Sequence, residues 1–313
     1  TTEACRKITI FPAWRNGMLT ADKNCCTMEK DKKPKGEKTI MNEVWNLDPI
    51  YKGFDVGTAK ITKEEMQGVK HHMLSVANPN KPFTVSDYKE MALPIINDLI
   101  SRNKTPIICG GTGFYINSIL YDSSYGKSAP NLEVREKYLS LANEKGNKYV
   151  YDILLELDYE SAIKLHYNDL KRVVRALEIY HSGTKKSDIK DDFTPIFDYD
   201  CYSYDYPREI LYSRINKRVD LMIENGLVNE VKNLLDSGIS KTSQSMQGIG
   251  YKEIVSYLDG EINLSDAIEL IKLNTRHYAK RQITFFKKVP NINYISPKDN
   301  ASDIAKIITK DLL

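Results

Sequence analysis

"IICGGTGFYINSI", residues 107 to 119, sets the fold class. The run that leads into it, "TPIIC", reads as a buried strand that stops at Gly110-Gly111. Thr112 and Gly113 follow, and an aromatic-rich segment at helical spacing begins. Strand, glycine turn and helix is how α/β proteins hold phosphates, because backbone N–H groups and a helix N-terminus converge on the anion. The turn falls at the carboxyl end of its strand, the edge where open α/β sheets bind ligands. On spacing alone, these glycines serve tight strand-to-helix packing equally well.

Working outward, "FTVSDYKEMALPIINDLISRNK" places Tyr88, Met91, Ile95, Ile96 and Leu99 on one helical face. Thr84 is the expected N-cap with Asp87 three residues on, and Pro94 is expected to kink the helix. Residues 122 to 190 then break the α/β rhythm with four short helical patterns and no strand between them. "IFDYDCYSYDY" returns as a Tyr-rich strand, and a helix pair follows with Gly226 at its break. The first 45 residues include the charge-rich "EKDKKPKGEK", with Pro34 and Gly36, and read as irregular. The expected organisation is an atypical segment 1–45, an α/β core from 46–121 and 191–313, and a helical insertion 122–190.

The 313 residues, 28% charged and 41% hydrophobic, have an ordinary globular composition. No apolar run approaches the roughly 20 residues that span a bilayer, and the opening residues do not read as a signal peptide. Cys5, Cys25, Cys26, Cys109 and Cys201 are odd in number and lack metal-type spacing, so reduced thiols are expected. Adjacent His71 and His72 point to different faces of any regular element, which argues for a structural role over zinc binding. A net charge of +3 decides little, but its distribution is informative. Residues 270 to 288 carry Lys272, Arg276, Lys280, Arg281, Lys287 and Lys288 with no acidic residue.

Five stretches in order carry a resemblance. They are "IYKGFDVGTAKIT" (50–62), "HHMLSV" (71–76), "CGGTGFYI" (109–116), "RINKRVDLMIENGLVNEV" (214–231) and "SMQGIGYKE…AKRQITFF" (245–286). In this order and spacing the chain resembles a bacterial tRNA dimethylallyltransferase, the enzyme that prenylates N6 of adenosine 37 beside the anticodon. The resemblance implies a P-loop-type parallel sheet flanked by helices, with an inserted all-helical subdomain. It implies Mg²⁺ as cofactor, and dimethylallyl diphosphate and the tRNA anticodon stem-loop as partners. A cytoplasmic monomer without a membrane partner is expected.

By resemblance, Thr112 sits beside the transferred group, and Arg214 or Arg218 stabilises the leaving diphosphate. Gly110, Gly111 and Gly113, with Asp55, Gly57 and Thr58, are expected to bind substrate. Lys171, Arg172 and Arg175 in the insertion are expected on tRNA. So are Gly248, Gly250, Tyr251 and Lys252, and Lys280, Arg281, Gln282, Phe285 and Lys287. Cations interleaved with aromatics suit single-stranded loop recognition.

Two positions depart from the family pattern. Its diphosphate loop, G-x-T-x-x-G-K followed by Ser or Thr, would fall near residues 21 to 28, where "ADKNCCTM" has no glycine. "GEKT" at 36 to 39 is the nearest echo. The family's general-base Asp is matched by Asn46, whose amide takes no proton at neutral pH. Asp48, two residues on, is the candidate replacement. Two other readings therefore stand beside prenyl transfer to tRNA: a non-catalytic RNA-binding relic, and a prenyltransferase acting on a small adenine nucleotide.

Overall fold

The structure, a computed structural model, describes residues 7–11, 43–46, 49–66, 68–121, 131–189 and 194–296. Among the described residues, six strands form one parallel sheet: β1 (Lys7–Phe11), β2 (Glu43–Asn46), β3 (His71–His72), β4 (Pro106–Cys109), β5 (Asp198–Tyr204) and β6 (Ile292–Ile295). Their order is β3-β2-β4-β1-β5-β6, so the chain works to one side of β1 and later to the other. Such a reversal marks the ligand edge of an open α/β sheet.

The expectation of an irregular segment 1–45 is corrected here at two places. β1 pairs with both β4 and β5 at the sheet centre, and β2 lies between β3 and β4. "KITIF" is short, and a strand covered on both faces need not alternate polar with apolar. Ile8, Thr9 and Ile10 are all fully buried. The rest of that segment, with the expected diphosphate loop, "GEKT", Cys5, Cys25 and Cys26, lies outside the described residues, as does Asp48.

Helix α1 (Val85–Ser101) starts at the expected cap. The Thr84 N–H donates to Asp87 Oδ2 at 2.7 Å, and the Asp87 N–H donates to Thr84 Oγ1 at 3.2 Å. The helix runs on through Pro94. Its buried face is Tyr88, Ala92, Ile96 and Leu99; Met91, expected inside, is 39% exposed. Helix α2 (Gly113–Leu120) follows β4 across the glycine turn.

A compact unit, Tyr121–Ile196, holds α3 (Leu132–Lys145), α4 (Asn147–Leu157), α5 (Tyr159–Ala162) and α6 (Leu170–His181). Its core includes Val150, Leu154, Val173 and Leu177. Each such side chain contributes about 1.5–3 kcal/mol through burial. Asp158 caps α5 through the Ser161 N–H at 3.2 Å and accepts from the Ser187 N–H at 3.1 Å.

The second compact unit comes from the flanking sequence on both sides and contains the sheet. After β5 come α7 (Arg208–Glu224), α8 (Leu227–Asp236), α9 (Tyr251–Leu258) and the long α10 (Leu264–Phe286). Gly226, at φ 91°, supplies the left-handed break between α7 and α8. Phe54, Leu227, Val231, Tyr251, Ile254 and Ile271 form part of the core that ties the loop after β2 to these helices.

Candidate active site

A cavity of about 160 Å³ opens among the segments that follow β2 and β4. Thr112, from the glycine turn, and Thr58, from "VGTAK", both line it. Aromatic walls come from Tyr51, Phe54, Tyr115 and Tyr251, and polar groups from Gln244 and Ser245. The structure thus brings together two Gly-Thr turns that lie more than 50 residues apart in sequence. Gln244 is held at this edge by a two-way bond to Phe83, accepting from its N–H at 3.1 Å and donating to its carbonyl at 2.9 Å.

The two turns are built differently. At the first, Glu230 on α8 accepts three successive backbone N–H groups. Asp55 and Val56 donate to Oε2 at 2.9 and 2.6 Å, and Gly57 donates to Oε1 at 3.1 Å. The Tyr251 hydroxyl adds a fourth bond at 2.7 Å. Thr58 turns its hydroxyl inward, donating to the Phe54 carbonyl at 2.6 Å. Lys60, its side chain 10% exposed, ties the turn to Asp55 Oδ1, the Tyr51 carbonyl and Ser75 Oγ. A Cβ at Gly57 would lie 2.6 Å from the Tyr251 ring, so glycine is required there. Asp55, Gly57 and Thr58, expected to bind substrate, all belong to this turn, and Thr58 lines the cavity. The three N–H groups and the threonine hydroxyl already have protein partners.

At the second turn, Gly110 and Gly111 are buried and Thr112 is half-buried. The Thr112 hydroxyl lies 3.3 Å from the hydroxyl of Tyr278 on α10. A Cβ at Gly113 would come within 2.2 Å of the Phe285 ring. Gly113 is therefore a packing glycine, and Phe285 covers the start of α2. Tyr278 and Phe285 lie seven apart and share the face of α10 turned to this turn.

Arg214 and Arg218 sit on α7. The Arg214 guanidinium lies 5.2 Å from the centre of the Tyr206 ring, a cation–π contact. Burial pulls the Arg218 pKa down, and the nearby charge of Glu65 opposes that shift. Asp220, on the same helix, pairs with Lys272 at 2.9 Å.

The expected RNA-facing residues divide sharply. Lys171 and Arg172 on α6 are exposed, whereas Arg175 donates to Glu178 at 2.8 Å. Glu178 is fully buried as a side chain and is also gripped by Arg135 at 2.6 Å. On α10 and just past it, Lys280, Arg281 and Lys287 are exposed. Lys252 is exposed on α9, after Gly248 and the buried Gly250. Tyr251 and Gln282, also expected on tRNA, are 1% and 5% exposed, and Tyr251 lines the cavity. From the basic stripe, Lys272 is spent on Asp220 and Glu269, and Arg276 donates to Asn216 Oδ1 at 2.7 Å.

Among the described residues, no group of three or more His, Cys, Asp or Glu could hold a metal ion. His71 belongs to β3, donates from Nδ1 to the Val69 carbonyl at 3.0 Å, and is held below its usual pKa by burial. No described helix is long and apolar enough to cross a membrane. Glu230, Lys60 and Tyr278 were not singled out as site residues from the sequence. For Glu230 no local signal exists, because its three backbone partners lie 173 to 175 residues away.

Residues 49–289 match the family model described as IPP transferase. The tRNA dimethylallyltransferase of Caldanaerobacter subterraneus is 48% identical over 277 residues, covering 84% of this chain and 86% of the relative. That of Alkaliphilus oremlandii is 42% identical over 281 residues, covering 88% and 90%. A tRNA isopentenylpyrophosphate transferase structure from Bacillus halodurans superposes with TM-score 0.69 at 32% identity, covering 99% of this chain and 96% of that one. A structure of a eukaryotic dimethylallyltransferase acting on tRNA gives TM-score 0.80 at 27% identity, covering 98% and 79%.

Proposed function

Because this chain belongs to the IPP transferase family, we propose that it transfers a dimethylallyl group from dimethylallyl diphosphate to N6 of adenosine 37 in tRNA. The single observation that carries the reading is the cavity at the sheet's carboxyl edge, with Thr112 in its wall. N6 attacks C1 of the allyl group, the C1–O bond to diphosphate breaks, and the N6 proton passes to a base. The half-buried Thr112 hydroxyl is suited to donate to the departing diphosphate, beside a turn whose glycines let the anion approach. Arg214 or Arg218 supplies the positive charge that the leaving group needs. Asp48 is the proposed base, since Asn46 takes no proton. N6 becomes reachable only when the adenine leaves its stack, and the aromatic walls of Tyr115 and Phe54 suit a flat base.

Magnesium is proposed to arrive with the diphosphate. Lys171 and Arg172 are proposed on the tRNA backbone, with Lys280, Arg281 and Lys287 on the anticodon stem-loop. The reaction is proposed to run in the cytoplasm. A non-catalytic relic or a small-nucleotide acceptor is not favoured. Relatives at 42% and 48% identity are named tRNA dimethylallyltransferases over most of both lengths.

A single-turnover assay with tRNA and dimethylallyl diphosphate tests the proposal, read by mass of the released nucleosides. Prenylated adenosine from tRNA supports it. Product on free adenine nucleotide only, or tRNA binding with no product, would overturn it.

A further inference from the structure

We infer that Glu230 is a positioning residue for the transfer, its carboxylate holding the Asp55–Gly57 backbone in the form that walls the cavity. The inference rests on the proposed function, since it gives Glu230 a task in that same site.

Three successive N–H groups that converge on one point make an anion-binding nest. Here the anion is the protein's own side chain, with all three contacts at 2.6 to 3.1 Å. Bonds to an ionised acceptor are stronger than neutral ones. The Tyr251 hydroxyl donates the fourth bond while its ring fills the space over Gly57. The turn is thus clamped from two sides by α8 and α9. Glu230 itself is fixed from below, because its neighbour Val231 and then Leu234 pack in one core with Phe54. Phe54 and Thr58 bracket the nest, and both line the cavity with Tyr251.

Two consequences follow from the charge. A nest that already holds a carboxylate does not take a diphosphate, and the fixed negative charge disfavours a second anion beside it. The diphosphate is therefore left to the Gly110–Gly113 turn. Glu230 acts through the shape of the wall, with no role in proton transfer.

Chemical rescue tests this. Glu230→Ala removes the carboxylate and leaves three N–H donors around a space that formate fits. The single-turnover rate should fall roughly ten- to a hundredfold, the cost of losing bonds to a charged group. The dissociation constant for tRNA should not change. Formate should restore the rate, and neutral formamide should not. Hydrogen exchange of the amides of residues 55 to 57 gives a second readout that needs no turnover. Their protection should fall in the variant and return with formate. Wild-type rate and protection in Glu230→Ala, or no response to formate in the folded variant, would overturn the inference. If Glu230→Ala does not fold, Glu230→Gln carries the exchange readout: faster exchange at 55 to 57 supports the inference, and unchanged protection contradicts it. A wild-type protein that binds tRNA without prenylating it would refute the proposed function, while the exchange measurement would still decide the role of Glu230.

Discussion

The two Gly-Thr turns that meet at the cavity look alike in sequence and differ in how their polar groups are used. "VGTAK" is closed on itself: Glu230 occupies its N–H groups, and the Thr58 hydroxyl is bound to Phe54. "GGTGF" follows a strand directly, with its threonine half-buried at the cavity wall and near Tyr278. A glycine-threonine signature thus does not identify a phosphate site. What separates a ligand turn from a structural one is whether the protein already supplies the anion.

The first expected effect is on packing. Gly113→Ala and Gly57→Ala each drive a methyl into an aromatic ring, Phe285 or Tyr251. Overpacking of this kind costs about 1–3 kcal/mol, seen as a lower denaturation midpoint. Phe285→Leu should rescue Gly113→Ala but leave Gly57→Ala unrescued. If it rescued both, the turns would share one packing partner and the contrast would collapse.

Next is Thr112→Ala. Losing a hydroxyl contact to a charged diphosphate costs roughly 1.5–3 kcal/mol, about one to two decades in turnover. The unfolding midpoint should hardly move. Tyr278→Phe should do less, because a neutral hydrogen bond is worth about 0.5–1.5 kcal/mol, at most roughly tenfold in rate. A Tyr278 variant slower than Thr112→Ala would show that the tyrosine, and not the threonine, faces the substrate.

The smallest effect belongs to the RNA surface. Lys280→Ala should lower the salt slope of tRNA binding by about one unit and leave diphosphate affinity alone. A change in diphosphate affinity would mean that α10 serves both turns and both ligands.

Much of this architecture was legible locally. The Thr84–Asp87 capping box, the strand before Gly110, the Tyr-rich β5 and the Gly226 break each show in a few adjacent residues. β1 and β2 were not legible, because four or five residues carry too little pattern. The site was legible only in its first layer. Thr112 and Thr58 stood out as hydroxyls beside glycines, yet the carboxylate that separates the two turns is over 170 residues from its backbone partners. Phe285 is expected on RNA, and Tyr278 lies a heptad before it on α10. Their common helical face was visible, but what that face packs against was not.

The central claim is that only the second turn meets the diphosphate. The most direct measurement is the dissociation constant of dimethylallyl diphosphate for Thr112→Ala and Thr58→Ala, compared by calorimetry in the presence of tRNA. The account predicts binding weakened roughly ten- to a hundredfold for Thr112→Ala and unchanged for Thr58→Ala. Equal losses in the two variants, or a loss in Thr58→Ala alone, would contradict it.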